Sequence, residues 1–181
     1  VPLNSNMLNA FVKRSVDIFG AVVAIILFSP VMLVTSFIIK ATSPGPLIFK
    51  QERIGRHNRP FYMYKFRSMV VQDEKDEKKG WTTKNDPRVT PIGKFIRKAS
   101  IDELPQLFNI LKGDMSLVGP RPERPQFVEK FKEEIPRYMI KHQVRPGMTG
   151  WAQINGRDEL EIPVKAALDG EYVRKMGFWF D

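Results

Sequence analysis

An uncharged apolar run of 22 residues, from Ile18 to Ile39, lies near the amino terminus of this chain. At a rise of 1.5 Å per residue, a helix of this length reaches about 33 Å, which is enough to cross a hydrocarbon core of about 30 Å. The run is too long for the apolar part of a signal peptide, and Lys40-Ala41-Thr42 follows it without a small-residue cleavage pattern. We therefore expect a membrane helix.

Ser29 and Pro30 lie at the middle of this run. Proline lacks the N–H group and its ring clashes with the carbonyl four residues earlier, so the helix must kink or break. Each half is then about 11 residues, too short to cross the bilayer alone. Lys13, Arg14 and Lys40 flank the run, and the other basic residues follow it. Positively charged flanks favour the cytoplasm for both ends.

Three structures are compatible with this segment. The charge distribution favours a re-entrant helix-break-helix hairpin that enters and leaves on the same side. A proline-kinked helix that spans the membrane, with a short external amino terminus, is the second, because such kinks are common in membrane helices. A fully buried helix of a soluble protein is the third.

Composition restricts the chemistry of the rest. A length of 181 residues leaves room for one compact domain and an appendage. We divide the chain into a membrane hairpin at 1–40 and a catalytic or binding domain at 41–181. The absence of cysteine excludes disulfides, thiolate zinc sites and cysteine nucleophiles, and two histidines cannot form a multi-histidine metal cage. The net charge of +9 predicts an anionic partner: nucleic acid, acidic lipid or a phosphorylated molecule.

The fold class expected for 41–181 is α+β. Residues 47–51 and 60–69 are typical of two strands of a small β-hairpin, joined by a polar loop at 55–58. Apolar spacing predicts three amphipathic helices. The first begins at Pro91, the second ends near Gly113, and the third runs from Phe127 to a break at Pro136. The segment 113–122 is rich in turn residues.

Lys65 and Arg67 are two residues apart in the second strand, so their side chains would share one face. Two cations on one rigid face suit a diphosphate. A solvated basic edge strand explains them equally well.

The carboxylate pair Asp102-Glu103 is the candidate for chemistry, because common nucleotide-binding, protease and hydrolase motifs are absent. Ser100 to Glu103 fits the capping box S-x-x-E, which explains the pair by structure alone. Pro105 argues for an irregular helix start, however, since it would forfeit a helical hydrogen bond. A carboxylate at a helix start is kept ionised by the helix dipole, and an ionised aspartate there could bind Mg²⁺ and attack phosphorus.

Several motifs together resemble one family, the bacterial sugar transferases, also called monotopic phosphoglycosyl transferases. The matching motifs are the apolar segment with Ser29-Pro30, FKQERIG at 49–55, YKFRSM at 64–69, DELPQLFNILKGDMSLVGPRP at 102–122 and RPGMTGWAQINGR at 145–157. They span nearly the whole chain, and their combination is far more specific than any one of them.

The resemblance implies transfer of a sugar 1-phosphate from a UDP-sugar to a polyprenol (undecaprenyl) phosphate, with release of UMP. This would be the first membrane step of bacterial glycan assembly, for exopolysaccharide, lipopolysaccharide O-antigen or glycoprotein. Asp102 would attack the β-phosphorus and become a covalent phosphosugar adduct, with Mg²⁺ as the cofactor on Asp102. Glu103 would support the incoming lipid phosphate, as a general base or by positioning it.

The same resemblance implies further roles for basic residues. Lys65, Arg67, Arg97 and Arg121 would bind the phosphates, and Arg145 is a candidate for the nucleotide end. The family also implies the re-entrant hairpin with its break at Ser29 and Pro30, interfacial helices, and a location on the cytoplasmic face of the bacterial inner membrane, with no nucleic acid as partner.

Two other functions remain compatible with the residues. A membrane-tethered basic module that binds nucleic acid or anionic lipid without turnover would bind with a steep salt dependence and would not need Asp102. The other is an inactive scaffold of a glycan-assembly complex. The intact Asp102-Glu103 pair argues against it.

Overall fold

The computed structural model describes residues 3–71, 86–155 and 161–175. It is a mixture of helices and short strands, as the α+β expectation requires. In chain order the elements are α1 (Leu3–Thr42), β1 (Ile48–Ile54), β2 (Pro60–Phe66), α2 (Pro91–Lys98), α3 (Gln106–Lys112), β3 (Ser116–Val118), α4 (Pro125–Glu134), β4 (Gly147–Thr149), α5 (Trp151–Ile154) and α6 (Ile162–Lys175). Three 3-10 turns lie between them, at Arg56–Asn58, Ile101–Glu103 and Tyr138–Gln143.

The membrane segment is one continuous helix, α1, rather than two helices separated at Ser29 and Pro30. Pro30 cannot donate to the carbonyl of Ile26, four residues earlier. The Ser29 hydroxyl donates to that same Ile26 carbonyl at 2.9 Å. The helix therefore continues through the proline, because the neighbouring side chain supplies the missing donor. Re-entry of α1 into the membrane stays a prediction.

Most of α1 is exposed. The segment Met7–Thr42 is long and apolar enough to cross a membrane, and 11% of its apolar 18-residue stretch is buried. Large apolar side chains such as Phe19, Leu33 and Phe37 are mostly exposed along this helix. These exposures disfavour the core helix of a soluble protein, which would be mostly buried.

Both halves of α1 nevertheless contact the rest of the chain. Ala21 belongs to a buried apolar cluster with Phe61 and Met63 of β2, Leu107 and Ile110 of α3, and Met115 just before β3. Ile39 packs with Phe66 of β2 and Ile96 of α2 in a second cluster. The helix thus lies against the domain at two places.

The predicted hairpin is confirmed. Strands β1 and β2 pair antiparallel, with Ile48 opposite Phe66 and Ile54 opposite Pro60. The first strand ends at Ile54, three residues later than the sequence pattern indicated, and the second ends at Phe66, three residues earlier. Phe61 and Met63 of β2 are buried on one face, and alternation places Lys65 on that face too.

The segment 113–122 contains a strand that its turn residues concealed. Strand β3 pairs in parallel with β4, Ser116 opposite Gly147. Polar side chains of α1 contact β3 as well: Asp17 accepts from the Ser116 hydroxyl at 2.6 Å and from the Leu117 N–H at 3.1 Å. Lys13 donates to the Val118 carbonyl at 3.1 Å. A strand of three residues carries too little periodicity to be recognised in a sequence.

Candidate active site

Asp102 and Glu103 lie in the 3-10 turn Ile101–Glu103, just before α3. The capping-box interpretation is wrong, because Ser100 is in the left-handed region with φ of 58° and its side chain makes no capping hydrogen bond. Helix α3 begins only at Gln106, with Pro105 as its N-cap. The irregular start that Pro105 predicts is confirmed, and it leaves both carboxylates outside the regular helix.

The Asp102 side chain is in a buried environment, since the residue is 7% exposed. Burial raises the pKa of its carboxyl above the usual value, and the Glu103 charge acts in the same direction. Lys65 and Arg97 oppose this and lower the pKa of Asp102. The carboxylate form of Asp102 therefore depends on two nearby cations.

Lys65 is the nearest of these cations to the carboxylate pair. Its Nζ lies 3.6 Å from Glu103 Oε1. Burial lowers the pKa of Lys65, while the charges of Glu103 and Asp102 raise it and that of Arg121 lowers it. The ammonium is thus held in a partly desolvated position by the two carboxylates, and charges placed there interact more strongly than in water.

Arg97 approaches Asp102 from α2. Its Nε donates to the Ser68 hydroxyl at 2.6 Å, just after β2. Burial lowers the pKa of Arg97, and the Asp102 charge raises it. Gly93 allows this approach, because a Cβ there would lie 2.0 Å from the Ser68 carbonyl oxygen. Ser68 was not singled out from the sequence, although it belongs to the YKFRSM motif.

Arg121 follows β3 on a loop that several backbone contacts fix. Gly147 N–H donates to the Pro120 carbonyl at 2.9 Å, and Ile54 N–H donates to the Glu123 carbonyl at 2.9 Å. Buried Arg53 of β1 donates to the Pro122 carbonyl at 3.0 Å. Burial lowers the pKa of Arg53 to about 10. Sequence reasoning assigned Arg53 no role, although it belongs to the FKQERIG motif.

The carboxylates and the predicted phosphate ligands line one groove. Its walls include Lys65, Arg97, Asp102, Glu103 and Arg121. The groove extends on one side to Pro46 and Val71, near the end of α1, and on the other to Phe127 and Asp169. Two carboxylates and three cations thus line a single groove.

Arg67 also lines this groove, but its guanidinium is engaged elsewhere. It donates to the Ser43 carbonyl at 2.8 Å and to the carbonyl of Pro44. These bonds tie the end of β2 to the residues that follow α1.

Arg145 lies apart from the groove. Its Nε donates to the Gly113 carbonyl at 3.0 Å, after the end of α3. Arg14 of α1 donates to the Ile110 and Leu111 carbonyls in the same region. Cations at the C-terminal end of a helix complement its carbonyls and its dipole. The structure therefore brings Arg145 together with Arg14 and not with Asp102.

Comparison with known proteins gives consistent matches. A family model described as bacterial sugar transferase matches residues 8–181. A UDP-N-acetylgalactosamine-undecaprenyl-phosphate N-acetylgalactosaminephosphotransferase of Aeromonas hydrophila is 51% identical over 175 residues, which are 95% of this chain and 41% of the relative. A UDP-glucose:undecaprenyl-phosphate glucose-1-phosphate transferase of Escherichia coli K12 is 46% identical over 178 residues, 96% of this chain and 38% of the relative.

A shorter relative matches over a larger share of its own length. A putative undecaprenyl-phosphate N-acetylgalactosaminyl 1-phosphate transferase of Bacillus subtilis is 53% identical over 127 residues, 70% of each chain. The present chain spans about two fifths of the length of the Aeromonas and Escherichia relatives.

Proposed function

Because the chain belongs to the bacterial sugar transferases, we propose that its groove transfers a sugar 1-phosphate from a UDP-sugar to undecaprenyl phosphate and releases UMP. The observation that carries the proposal is the buried carboxylate of Asp102 in a groove that also contains Lys65, Arg97 and Arg121. A nucleophile for phosphorus and cations for a diphosphate are the two requirements of this reaction. The names of the relatives supply the donor and acceptor classes.

The first step uses Asp102 as nucleophile. A carboxylate oxygen of Asp102 bonds to the β-phosphorus of the donor, and the bond from that phosphorus to the α-phosphate oxygen breaks. The electron pair leaves with UMP, and a sugar phosphate ester of Asp102 is formed. Lys65, Arg97 and Arg121 stabilise the charge that develops on the phosphate oxygens, because preorganised cations favour the transition state over the ground state.

The second step returns the enzyme to its starting state. An oxygen of the lipid phosphate attacks the same phosphorus, the bond to Asp102 breaks, and a polyprenyl diphosphate sugar is released. Glu103 lies beside Lys65, 3.6 Å from its ammonium. From this position Glu103 accepts a proton from the lipid phosphate or orients it, with its charge balanced by Lys65.

Mg²⁺ fits the donor set of the site. Mg²⁺ is commonly held by one or two carboxylates together with substrate phosphates and water. Within residues 3–71, 86–155 and 161–175 no cluster of three or more metal-ligating side chains occurs. Asp102 would hold the ion together with oxygens of the substrate, and the ion would neutralise charge on the diphosphate.

The exposed apolar surface supports a proposal for the membrane arrangement. Helix α1 exposes its large apolar side chains, and Phe95 of α2 and Phe108 of α3 are also exposed. Helices that expose apolar residues next to basic ones favour the membrane interface. We propose that α1 re-enters the cytoplasmic leaflet and that α2 and α3 lie at that interface, so that the groove meets a soluble donor and a lipid acceptor together.

Turnover is the direct test. Purified protein is incubated with Mg²⁺, undecaprenyl phosphate and a panel of UDP-sugars, and UMP is measured. Release of UMP with at least one sugar is expected, and Asp102→Asn should abolish it. No UMP with any sugar, together with salt-dependent binding of vesicles or nucleic acid that Asp102→Asn leaves unchanged, would replace the transferase by a binding module.

The covalent intermediate requires its own measurement. Mass spectrometry after incubation with donor alone should detect a sugar phosphate on a peptide that contains Asp102. Asp102→Asn should lack this adduct. An adduct on another residue would assign the nucleophile elsewhere.

Topology is tested by labelling. A single cysteine at Asn4 should react with a membrane-impermeant thiol reagent only from the cytoplasmic side, as should one at Lys50. Labelling of position 4 from the outside alone would show that α1 spans the membrane.

A further inference from the structure

Asn109 is fully buried in α3, with none of its surface exposed. Its side-chain oxygen accepts the N–H of Tyr64 at 3.0 Å, and its side-chain nitrogen donates to the Tyr62 carbonyl at 2.8 Å. The same nitrogen lies 3.3 Å from Asp114 Oδ2. Each polar atom of the carboxamide therefore has a partner, and two of the partners are backbone groups of β2.

These contacts reproduce the pairing of a neighbouring strand. In an antiparallel pair, alternate residues direct both backbone groups away from the partner strand. Tyr62 and Tyr64 lie opposite Glu52 and Lys50 of β1, and their groups that bond Asn109 face away from β1. The carboxamide offers one acceptor and one donor, as a peptide group does. Asn109 thus takes the place of a third strand on the outer edge of β2.

The position of this contact matters for the site. Lys65 is the residue after Tyr64, while Asp102 and Glu103 lie in the turn that ends three residues before α3 begins at Gln106. The cation and the two carboxylates are 37 and 38 residues apart in sequence. Their separation is therefore set by how α3 docks on β2, to which apolar packing and the hydrogen bonds of Asn109 both contribute.

We propose that Asn109 is a positioning residue, which holds α3 on the edge of β2 so that Lys65 lies within reach of Asp102 and Glu103. This role rests on the proposed function. Asn109 does not line the groove and has no contact with substrate in the proposal. A displacement of about 1 Å between reacting groups can lower a rate about 100-fold.

A merely stabilising role makes different predictions. Removal of the buried Asn109 carboxamide leaves two backbone groups of β2 unpaired, which lowers the stability of the fold even if Asn109 has no effect on the groove. A positioning role also lowers the rate of the chemical step at saturating donor, and this loss depends on the presence of Lys65. A double-mutant cycle separates the two roles.

The experiment measures the rate of adduct formation with the full chain in detergent, at saturating UDP-sugar. Asn109→Ala should lower this rate between 10- and 100-fold while KM for the donor changes less than threefold. In the Lys65→Met background, Asn109→Ala should lower the rate less than threefold further. Equal losses in both backgrounds would overturn the proposal.

Tyr172→Phe serves as the matched control. It removes a buried hydrogen bond, from the Tyr172 hydroxyl to the Val118 carbonyl at 3.1 Å, and leaves α3 and β2 intact. At a similar loss of melting temperature its adduct rate should stay within twofold of the unchanged protein. A loss equal to that of Asn109→Ala would assign the effect to stability alone. If Asn109→Ala does not fold, Asn109→Asp tests the same point, because it keeps the acceptor for Tyr64 and loses the donor for Tyr62.

A second readout does not need turnover. Lys65 is titrated by reductive methylation at a series of pH values, with its peptide analysed by mass spectrometry. Asn109→Ala should shift the Lys65 profile, and Tyr172→Phe should not. An unchanged profile rejects positioning by Asn109. This result is independent of UMP release. If the protein releases no UMP but Asn109→Ala shifts the Lys65 profile, the proposed function is wrong while the positioning of Lys65 by Asn109 is supported.

Discussion

Lys65 Nζ lies 3.6 Å from Glu103 Oε1, in a contact that joins strand β2 to the turn before α3. Both side chains are partly exposed to the groove, at 18% and 28%. The pair therefore remains accessible to a substrate, unlike a structural ion pair in a core. An incoming phosphate would bind Lys65 and repel Glu103 unless Glu103 accepts its proton.

Lys65→Met removes the positive charge nearest the carboxylate pair. We expect UMP release to fall about 100-fold, since the loss of one preorganised charge partner in an active site typically costs this much. The control is Lys132→Met, which removes an exposed lysine paired with Glu129 at 2.7 Å on α4. This variant should keep full activity. A Lys65→Met protein with more than a third of the original rate would exclude Lys65 from the phosphate site.

The acid limb of the pH profile should report Asp102. Its pKa is raised by burial, so the protonated, non-nucleophilic form persists to higher pH than for an exposed aspartate. Adduct formation should rise with pH as Asp102 ionises. A raised carboxyl pKa also means that the stability contributed by the protonated form is lost as pH rises through the folded-state pKa. Lys65→Met should move the acid limb to higher pH, because Lys65 lowers this pKa. An acid limb unchanged in this variant would assign the titration to another group.

Arg67 and Arg121 should behave differently, although the sequence motifs imply phosphate binding for both. Arg67→Met breaks two bonds to the carbonyls of Ser43 and Pro44, so we expect a lower melting temperature and a donor KM within threefold. Arg121→Met should leave the melting temperature unchanged and raise the donor KM at least tenfold. Thermal unfolding in detergent and steady-state UMP release distinguish them. The reverse pattern would return Arg67 to the phosphate site.

The buried ion pair between Lys141 and Asp169 offers a stability test away from Asp102. Their atoms are 3.4 Å apart, and both side chains are almost fully buried. Burial raises the pKa of Asp169, and Lys141 lowers it. Lys141→Met alone should lower the free energy of unfolding by about 3–5 kcal/mol, since it leaves an unpaired buried carboxylate. The double variant Lys141→Met, Asp169→Leu should recover most of this loss. Chemical denaturation measures the free energy of unfolding of both variants. Equal losses in the single and the double variant would mean that packing rather than charge explains the effect.

Local patterns predicted several of the regular elements, although not α6. The hairpin, the helix from Pro91 to Lys98 and the helix that ends before Gly113 follow from alternation, apolar spacing and terminal residues, which act between near neighbours. The irregular turn at Asp102 was also foreseen, from Pro105. The capping box failed because Ser100 adopts a left-handed backbone, and the S-x-x-E pattern contains no information on that dihedral angle.

The partners of the arginines could not be read from the sequence. Arg67 and Arg145 bind backbone carbonyls of residues 23 and 32 positions away. A guanidinium donates hydrogen bonds to phosphate and carbonyl oxygens alike, so only the tertiary fold decides which of them it binds. Asn109 left a faint signal, since it is a polar residue on the buried face of a helix between Phe108 and Ile110.

The contacts of Asp17 and Lys13 with β3 have a practical consequence for the preparation of this protein. Asp17 accepts from the Leu117 N–H, and Lys13 donates to the Val118 carbonyl. Removal of α1 to obtain a soluble fragment would take both partners from β3 and would uncover the apolar cluster that contains Ala21. An open strand edge beside exposed apolar surface promotes edge-to-edge association. A fragment without α1 should therefore aggregate, and nanodiscs or detergent micelles are the suitable medium for handling the protein with α1 retained.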